Sequence, residues 1–349
     1  MRRLVAALVA TAACALALAP ASPAAYRHVR SWGHLGSGPG EFGSGVLGGG
    51  ANRQYDDPAG IAVSADGRVF VVDTSNNRVQ EFTGTGAFRN SFGSRGRDNG
   101  AIRRVIMAGR FFQPAGIAIG NGQLFVIDAG NDRVMVHSAG GGFLRRIGHH
   151  GSRAGMWVQP WGAATSGDVL YVVDQGNYRI QRRSLGGALL GEWGGFGRKP
   201  GRFVTPYGVA VNLAGDRVYV TDAIRRRVLM FDPAGAFLGE FGRSGRRGGR
   251  FLKPTGVAVG PDGTVFVADR CRKRIVHFNA AGRFIESFGR HSLRAPTFLD
   301  VDAAGTIYVS DWRRVVVFAP RPRRLQAPEP APEPAEAARW DVACTGIRG

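Results

Sequence analysis

The chain has 349 residues, among them 53 glycines and 18 prolines, and 44% of it is hydrophobic. Glycine is about twice its usual ~7%, but this much apolar content excludes a collagen-like or disordered tract, and three cysteines exclude a disulfide-dense or cysteine-rich zinc scaffold. The formal charge is +20, which points to an anionic partner; yet only three of the 46 basic residues are lysine, a bias that a GC-rich coding sequence also produces, so placement matters more than the total.

The first segment, residues 1–21, places Arg2 and Arg3 before an apolar run from Leu4 to Leu18, followed by Ala19-Pro20-Ala21. A basic start, a short apolar run and a small-residue cleavage site make a signal peptide. Fifteen apolar residues are few for a spanning helix, and no second run of spanning length follows. The expectation is export to a secreted or extracytoplasmic location, with no membrane span. A lipoprotein modified at Cys14 is the rival reading, although Thr11 stands where a branched aliphatic residue belongs.

Residues 22–318 form one repeating array. The phrase Pro-x-Gly-Ile/Val-Ala-Val begins at Pro58, Pro114, Pro160, Pro206, Pro254 and Pro296, at intervals of 42 to 56 residues. Each copy continues with a small-residue turn, a β-rich run ending in Asp, an Arg shortly after, a third β-rich run, and a fourth ending in aromatic-Gly. The Asp and Arg recur as Asp73/Arg78, Asp128/Arg133, Asp174/Arg179, Asp222/Arg227, Asp269/Arg274 and Asp311/Arg314. Four short strands cannot bury both faces of their sheet alone, so copies must stack, and a ring limits exposed edges. The period fits one propeller blade. The expected fold is all-β: a six-bladed β-propeller of four-stranded antiparallel blades. The sixth copy lacks a fourth strand, and Tyr26–Gly33 resembles the fourth strands of the others, so the N-terminal strand is expected to complete the last blade.

These phrases, with Asn77-Arg-Val79, Asn131-Asp-Arg-Val134 and Asn177-Tyr-Arg-Ile180, resemble the NHL-repeat family of six-bladed propellers over residues 26–318. Copies four to six depart from the pattern, carrying Arg226, Lys273 and Arg313 where Asn is expected, and copy six has Phe298 in place of Gly. The family's ubiquitin-ligase members carry cysteine-rich zinc modules, and this chain has none, so that activity is not implied.

Residues 319–337 read as a stiff Pro-rich linker, because Pro328-Glu-Pro-Ala-Pro-Glu-Pro334 supports neither helix nor sheet. A tail, residues 338–349, follows. Once a signal peptide is removed, Cys271 and Cys344 remain, and in an exported protein they are a candidate disulfide pinning the tail to blade five. Two unpaired thiols, or pairing with another chain, stay open.

Alternating strands put the blade connections and the second-to-third-strand loops on one face of the ring. Its basic residues include the candidate ligand-binding group Arg243, Arg246, Arg247, Arg250, Arg270, Arg272 and Lys273. The opposite face holds Asp66, Asp168, Asp216, Asp232 and Asp262 with Arg68, Arg217 and Arg283. Trp161 and Tyr207 follow the inner-strand Pro at the expected channel mouth, where they either stack a ligand or fill space beneath the long loops. Asp300 stands where the other copies have Ala; it either meets a cation or guanidinium or is a solvated channel residue. The six Asp/Arg pairs look like a polar ring and, recurring in every blade, read as structural braces for the loops.

No catalytic residue and no metal or other cofactor is expected. His149-His150 lacks two further aligned histidines, and no nucleophile elbow or phosphate loop is present. The sequence therefore reads as an exported, non-catalytic, monomeric binding scaffold. Its expected partner is a protein or an anionic cell-envelope polymer, with nucleic acid less favoured because an exported protein meets less of it. The alternative is a metal-dependent lyase or lactonase-like propeller enzyme with its site at the central channel.

Overall fold

The computed structural model describes residues 25–43, 58–95, 110–245 and 248–321. The expected signal peptide, nearly all of the Pro-rich linker, the tail with Cys344, and both Arg246 and Arg247 lie outside these residues. The described chain forms six four-stranded antiparallel sheets arranged as the blades of a propeller. In blade one the strands run Pro58–Val63, Arg68–Asp73, Arg78–Thr83 and Phe88–Phe92, from the axis outward. The inner strands of the next five blades are Pro114–Gly120, Pro160–Ser166, Pro206–Val211, Pro254–Val259 and Pro296–Val301.

The repeated Pro opens each inner strand, where a missing N–H costs no ladder bond. In all six blades the register with the second strand shifts between this Pro and the residue three beyond it. The Gly inside that bulge brings neighbouring inner strands together at the axis. A Cβ on Gly116 would stand 2.4 Å from the Trp161 carbonyl oxygen, so only glycine fits.

The second strands are buried on both faces because each sheet is covered by its neighbours. Val69–Val72 and Leu124–Ile127 are fully buried, and they read as continuous apolar runs rather than alternating ones. The aromatic-Gly ending of the outer strand has its own cause. Gly242 takes φ +78°, and the returning connection lays the Phe251 ring over it, where a Cβ would meet that ring at 2.4 Å. Phe42, Phe111, Trp157 and Phe203 repeat this capping in other connections, all fully buried.

The sixth sheet combines Pro296–Val301, Ile307–Asp311 and Arg314–Pro320 with Tyr26–Trp32, which runs antiparallel to Arg314–Pro320 with a register shift between His28 and Arg30. The Arg321 amide adds a bond to the Ala25 carbonyl at 2.7 Å. Ser310 also reaches from blade six to blade one, donating to the Ala59 carbonyl. Among the described residues, no helix is long and apolar enough to cross a membrane.

Candidate anion-binding face

The recurring Asp ends the second strand fully buried, directly below the blade connection. Its carboxylate accepts the backbone N–H groups that lead into the inner strand. Asp174 takes the Val158 amide at 2.9 Å, and Asp311 takes those of Arg294 and Ala295 at 2.8 and 2.6 Å. The Arg on the third strand completes the brace. Arg179 Nε lies 2.8 Å from Asp174 Oδ2, while its Nη2 donates to the carbonyls of Arg153 and Met156. Asp73/Arg78, Asp269/Arg274 and Asp311/Arg314 pair at 2.9, 3.5 and 3.1 Å. Burial pushes the carboxyls of Asp73, Asp128 and Asp174 above the usual range even against these donors.

Arg133 in blade two is the most deeply set of the arginines that brace these aspartates. It is only 4% exposed, and its Nε donates to the fully buried Asp128 at 2.7 Å, so this pair is a desolvated ion pair inside the fold and not part of a solvated rim. The cause is the strand that carries it. Arg133–Ser138 is buried from its first residue onward, whereas the strands that begin with Arg78, Arg179 and Arg314 leave that first side chain half-buried. Arg133 keeps the bracing role expected of it but presents no charge to a ligand on this face.

Blade four departs from the pattern and corrects the expected Asp222/Arg227 pair. Asp222 spends its oxygens on the amides of Val204, Thr205 and Arg225, whereas Arg227 turns to Glu240 on the outer strand. Glu240 also receives Arg225 at 3.0 Å. A carboxylate within reach on the outer strand thus outcompetes the buried Asp, which backbone donors already satisfy.

The residue closing the second-to-third-strand loop is left-handed in every blade: Asn77, Asp132, Tyr178, Arg226, Lys273 and Trp312 have φ between +52° and +58°. Asn and Asp tolerate this conformation best, and in blades one and two they use it. Asn77 and Asp132 accept the amides of Gln113 and Gln159, tethering the next blade connection. Arg226, Lys273 and Trp312 have no side-chain acceptor, and Tyr178 carries its only one at the far end of its ring, so four consecutive blades give up that tether and present an aromatic ring or a cation on this face instead. Trp312 lies between two guanidinium groups, with Arg294 and Arg313 carbons 5.0 and 4.7 Å from its ring centroid.

These loops enclose a cleft of about 950 Å³ beside blade five. Arg272, Lys273, Arg274, Arg290 and His291 line it together with Leu252, Ser287 and Phe288. The nearest acidic group, Asp269, is fully buried beneath the cleft, 3.4 and 3.5 Å from Arg272 and Arg274. Burial, together with Arg272 and Arg290 nearby, pulls the Arg274 guanidinium below its ordinary value despite the attraction of Asp269. Such crowding of cations around one opening raises the local concentration of anions. Cys271 is exposed at the same cleft, and its candidate disulfide partner lies outside the described residues.

The NHL repeat family matches residues 55–82 and 251–278, which fall in blades one and five. The chain is an NHL-repeat propeller. No curated protein sequence matches it. Among solved structures, a gluconolactonase from Xanthomonas campestris is 14% identical with a TM-score of 0.56, covering 76% of this chain and 86% of the enzyme's. Virginiamycin B lyase from Staphylococcus aureus is 13% identical with a TM-score of 0.51, covering 78% and 87%. The nidogen/laminin complex gives 18% identity and a TM-score of 0.51, covering 70% and 84%. At such identities the likeness concerns the fold.

Within this NHL propeller the sequence-derived candidates separate into groups. Arg272 and Lys273 meet at the cleft. Arg243 and Arg250 are exposed beside it, around a smaller hollow of about 280 Å³ that also includes Phe278 and Phe284. Arg270 is turned inward and joins blades five and six, donating to the Ala295 carbonyl at 3.2 Å and to Thr297 Oγ1. His291, Tyr178 and Trp312 were not singled out by sequence. The lost Asn at the left-handed position is the signal that finds Lys273 and Arg226.

Trp161 and Tyr207 require a correction. They are 3% and 2% exposed, with ring centroids 5.4 Å apart, so they form no open stacking mouth. Phe298 supplies the reason: standing where the other five blades have Gly, it sends a ring across the axis to within 5.5 Å of Tyr207. Asp300 does line the axial cavity, half-buried in its wall. Its oxygens accept the amides of Val63 and Val301 at 2.7 and 2.9 Å, and burial raises its pKa to about 6. No three His, Cys, Asp or Glu side chains converge on one point among the described residues.

Proposed function

We propose that this protein is an exported, non-catalytic binding scaffold that holds an anionic cell-envelope polymer, or an acidic protein surface, on its Arg-rich long-loop face. The observation that carries this reading is the cleft of blade five, where Arg272, Lys273, Arg274, Arg290 and His291 surround one opening and, among the described residues, the carboxylate paired with Arg272 and Arg274 is buried beneath them. Guanidinium groups suit carboxylate and phosphate groups because they offer paired donors in a fixed plane. The loops that form the cleft stand on braced connections, so the cations are held in place before a ligand arrives.

The test compares two double variants of equal charge change on immobilised polyphosphate. Lys273→Glu/Arg290→Glu is expected to elute at clearly lower salt than Arg198→Glu/Lys199→Glu, which lies in the blade-three connection of the same face. Equal shifts for both variants would reduce the effect to net charge and remove the cleft as a site.

A further inference from the structure

The axial channel is closed at the long-loop end and open at the other. Phe298 floors a cavity of about 310 Å³ whose mouth lies among the turns joining the first and second strands. Its rim is a ring of one half-buried side chain per blade: Val63, Ile119, Thr165, Val211, Val259 and Val301. Below the rim the wall is aliphatic. Asp300 is the one charged side chain in this lining.

We propose that this cavity is a binding site for a small organic monocation, an ammonium or guanidinium group carrying a compact apolar body. Two independent features select that chemistry. Each Asp300 oxygen takes one backbone N–H and keeps further acceptor capacity, so a cationic head has a partner, while the aliphatic wall takes the body. The mouth, moreover, reverses the sign of the whole protein: Asp66, Asp168, Asp216, Asp262 and Asp302 occupy these turns against Arg68 and Arg217. In a chain of formal charge +20, a net acidic mouth draws cations to this end alone. The volume falls at the small end of ligand pockets, which run about 300–1,000 Å³.

The carboxylate must be ionised to hold the cation. The groups that bear on its titration are few. Asp302 follows it in the chain and raises its pKa, Tyr308 faces it across the sheet, and the flanking inner strands Pro58–Val63 and Pro254–Val259 carry no titratable side chain. Binding therefore strengthens as pH rises through about 6 and levels off above it.

Calorimetric titration with benzylamine and with its neutral counterpart benzyl alcohol tests the site on the full chain. Benzylamine is expected to bind saturably at pH 7.5, at least tenfold more tightly than benzyl alcohol, and at least tenfold more weakly at pH 4.5. Asp300→Asn, which keeps an oxygen for the Val63 amide, should bring the amine down to the alcohol's affinity. Val259→Phe, which narrows the rim, should weaken both probes. Absence of saturable amine binding, equal affinity for the two probes, or an Asp300→Asn variant that binds the amine as wild type does would each overturn the proposal. If Asp300→Asn fails to fold, the pH dependence of the wild-type titration decides the same point.

Discussion

Phe298 of blade six and Tyr207 of blade four meet across the axis of the ring, their centroids 5.5 Å apart and their planes inclined by 31°. The blades they come from are not neighbours, and Trp161 of blade three extends the stack. This plug divides the molecule into an Arg-rich face without an axial opening and a face whose axial opening is ringed by aspartate-bearing turns. Phe298→Ala removes the ring that ends this stack and is expected to destabilise the fold by about 3–5 kcal/mol, the usual cost of emptying an aromatic site. Urea unfolding measures this, and a loss near zero would mean that the rings do not support one another.

The buried braces make a second prediction. Arg179→Met strips the paired cation from a fully buried Asp174 carboxylate, leaving it only neutral donors, and frees two loop carbonyls, so it should cost about 3–5 kcal/mol. Arg227→Met removes only a partly exposed contact to Glu240, which keeps Arg225, and should cost at most about 1 kcal/mol. Equal losses in the two variants would show that the exchange of partners in blade four has no energetic meaning.

Asp300 gives stability a pH dependence whose sign can be worked out. Its folded pKa of about 6 lies above the unfolded value of ~3.9, so between the two the native state binds more protons. Its contribution is full below pH ~4 and is lost as pH rises through about 6. Asp73, Asp128 and Asp174 shift in the same direction, so the comparison must be between variants. Asp300→Asn should melt further above wild type at pH 7.5 than at pH 4.5. A constant offset at both pH values would show that the carboxylate is not desolvated in the native state.

The blade pattern was legible in the sequence because each structural task recurs in five or all six blades: Pro opens an inner strand, Gly passes the axis, Asp catches the connection and Arg braces it. What was not legible depended on a single copy meeting a distant one. The burial of Trp161 and Tyr207 follows from Phe298, which arrives from another blade, and local spacing says nothing of a ring that crosses the axis. Arg133 occupies the same repeat position as Arg78, yet only the packing around its own strand takes it out of solvent. The partner of Arg227 was misread for a related reason. Glu240 and Asp222 are both within reach, and backbone donors decide which is free. Arg290 and His291 join Lys273 only because a blade connection folds back beside a loop from the preceding turn of the chain.

Lys273 supplies a last prediction, because there the local rule and the proposed site conflict. A lysine with φ +55° sits in a conformation that costs most residues about 1–2 kcal/mol, and that Asn tolerates with local hydrogen bonds. Lys273→Asn restores the residue that Asn77 represents in blade one, so it should stabilise the fold by up to about 1 kcal/mol. The same change removes a cation from the cleft and should lower the salt needed to release the protein from polyphosphate. Stability and retention would then move in opposite directions, as expected where a strained residue is kept for what it binds. A variant that is both more stable and equally well retained would detach Lys273 from any binding role and leave its strain without a function.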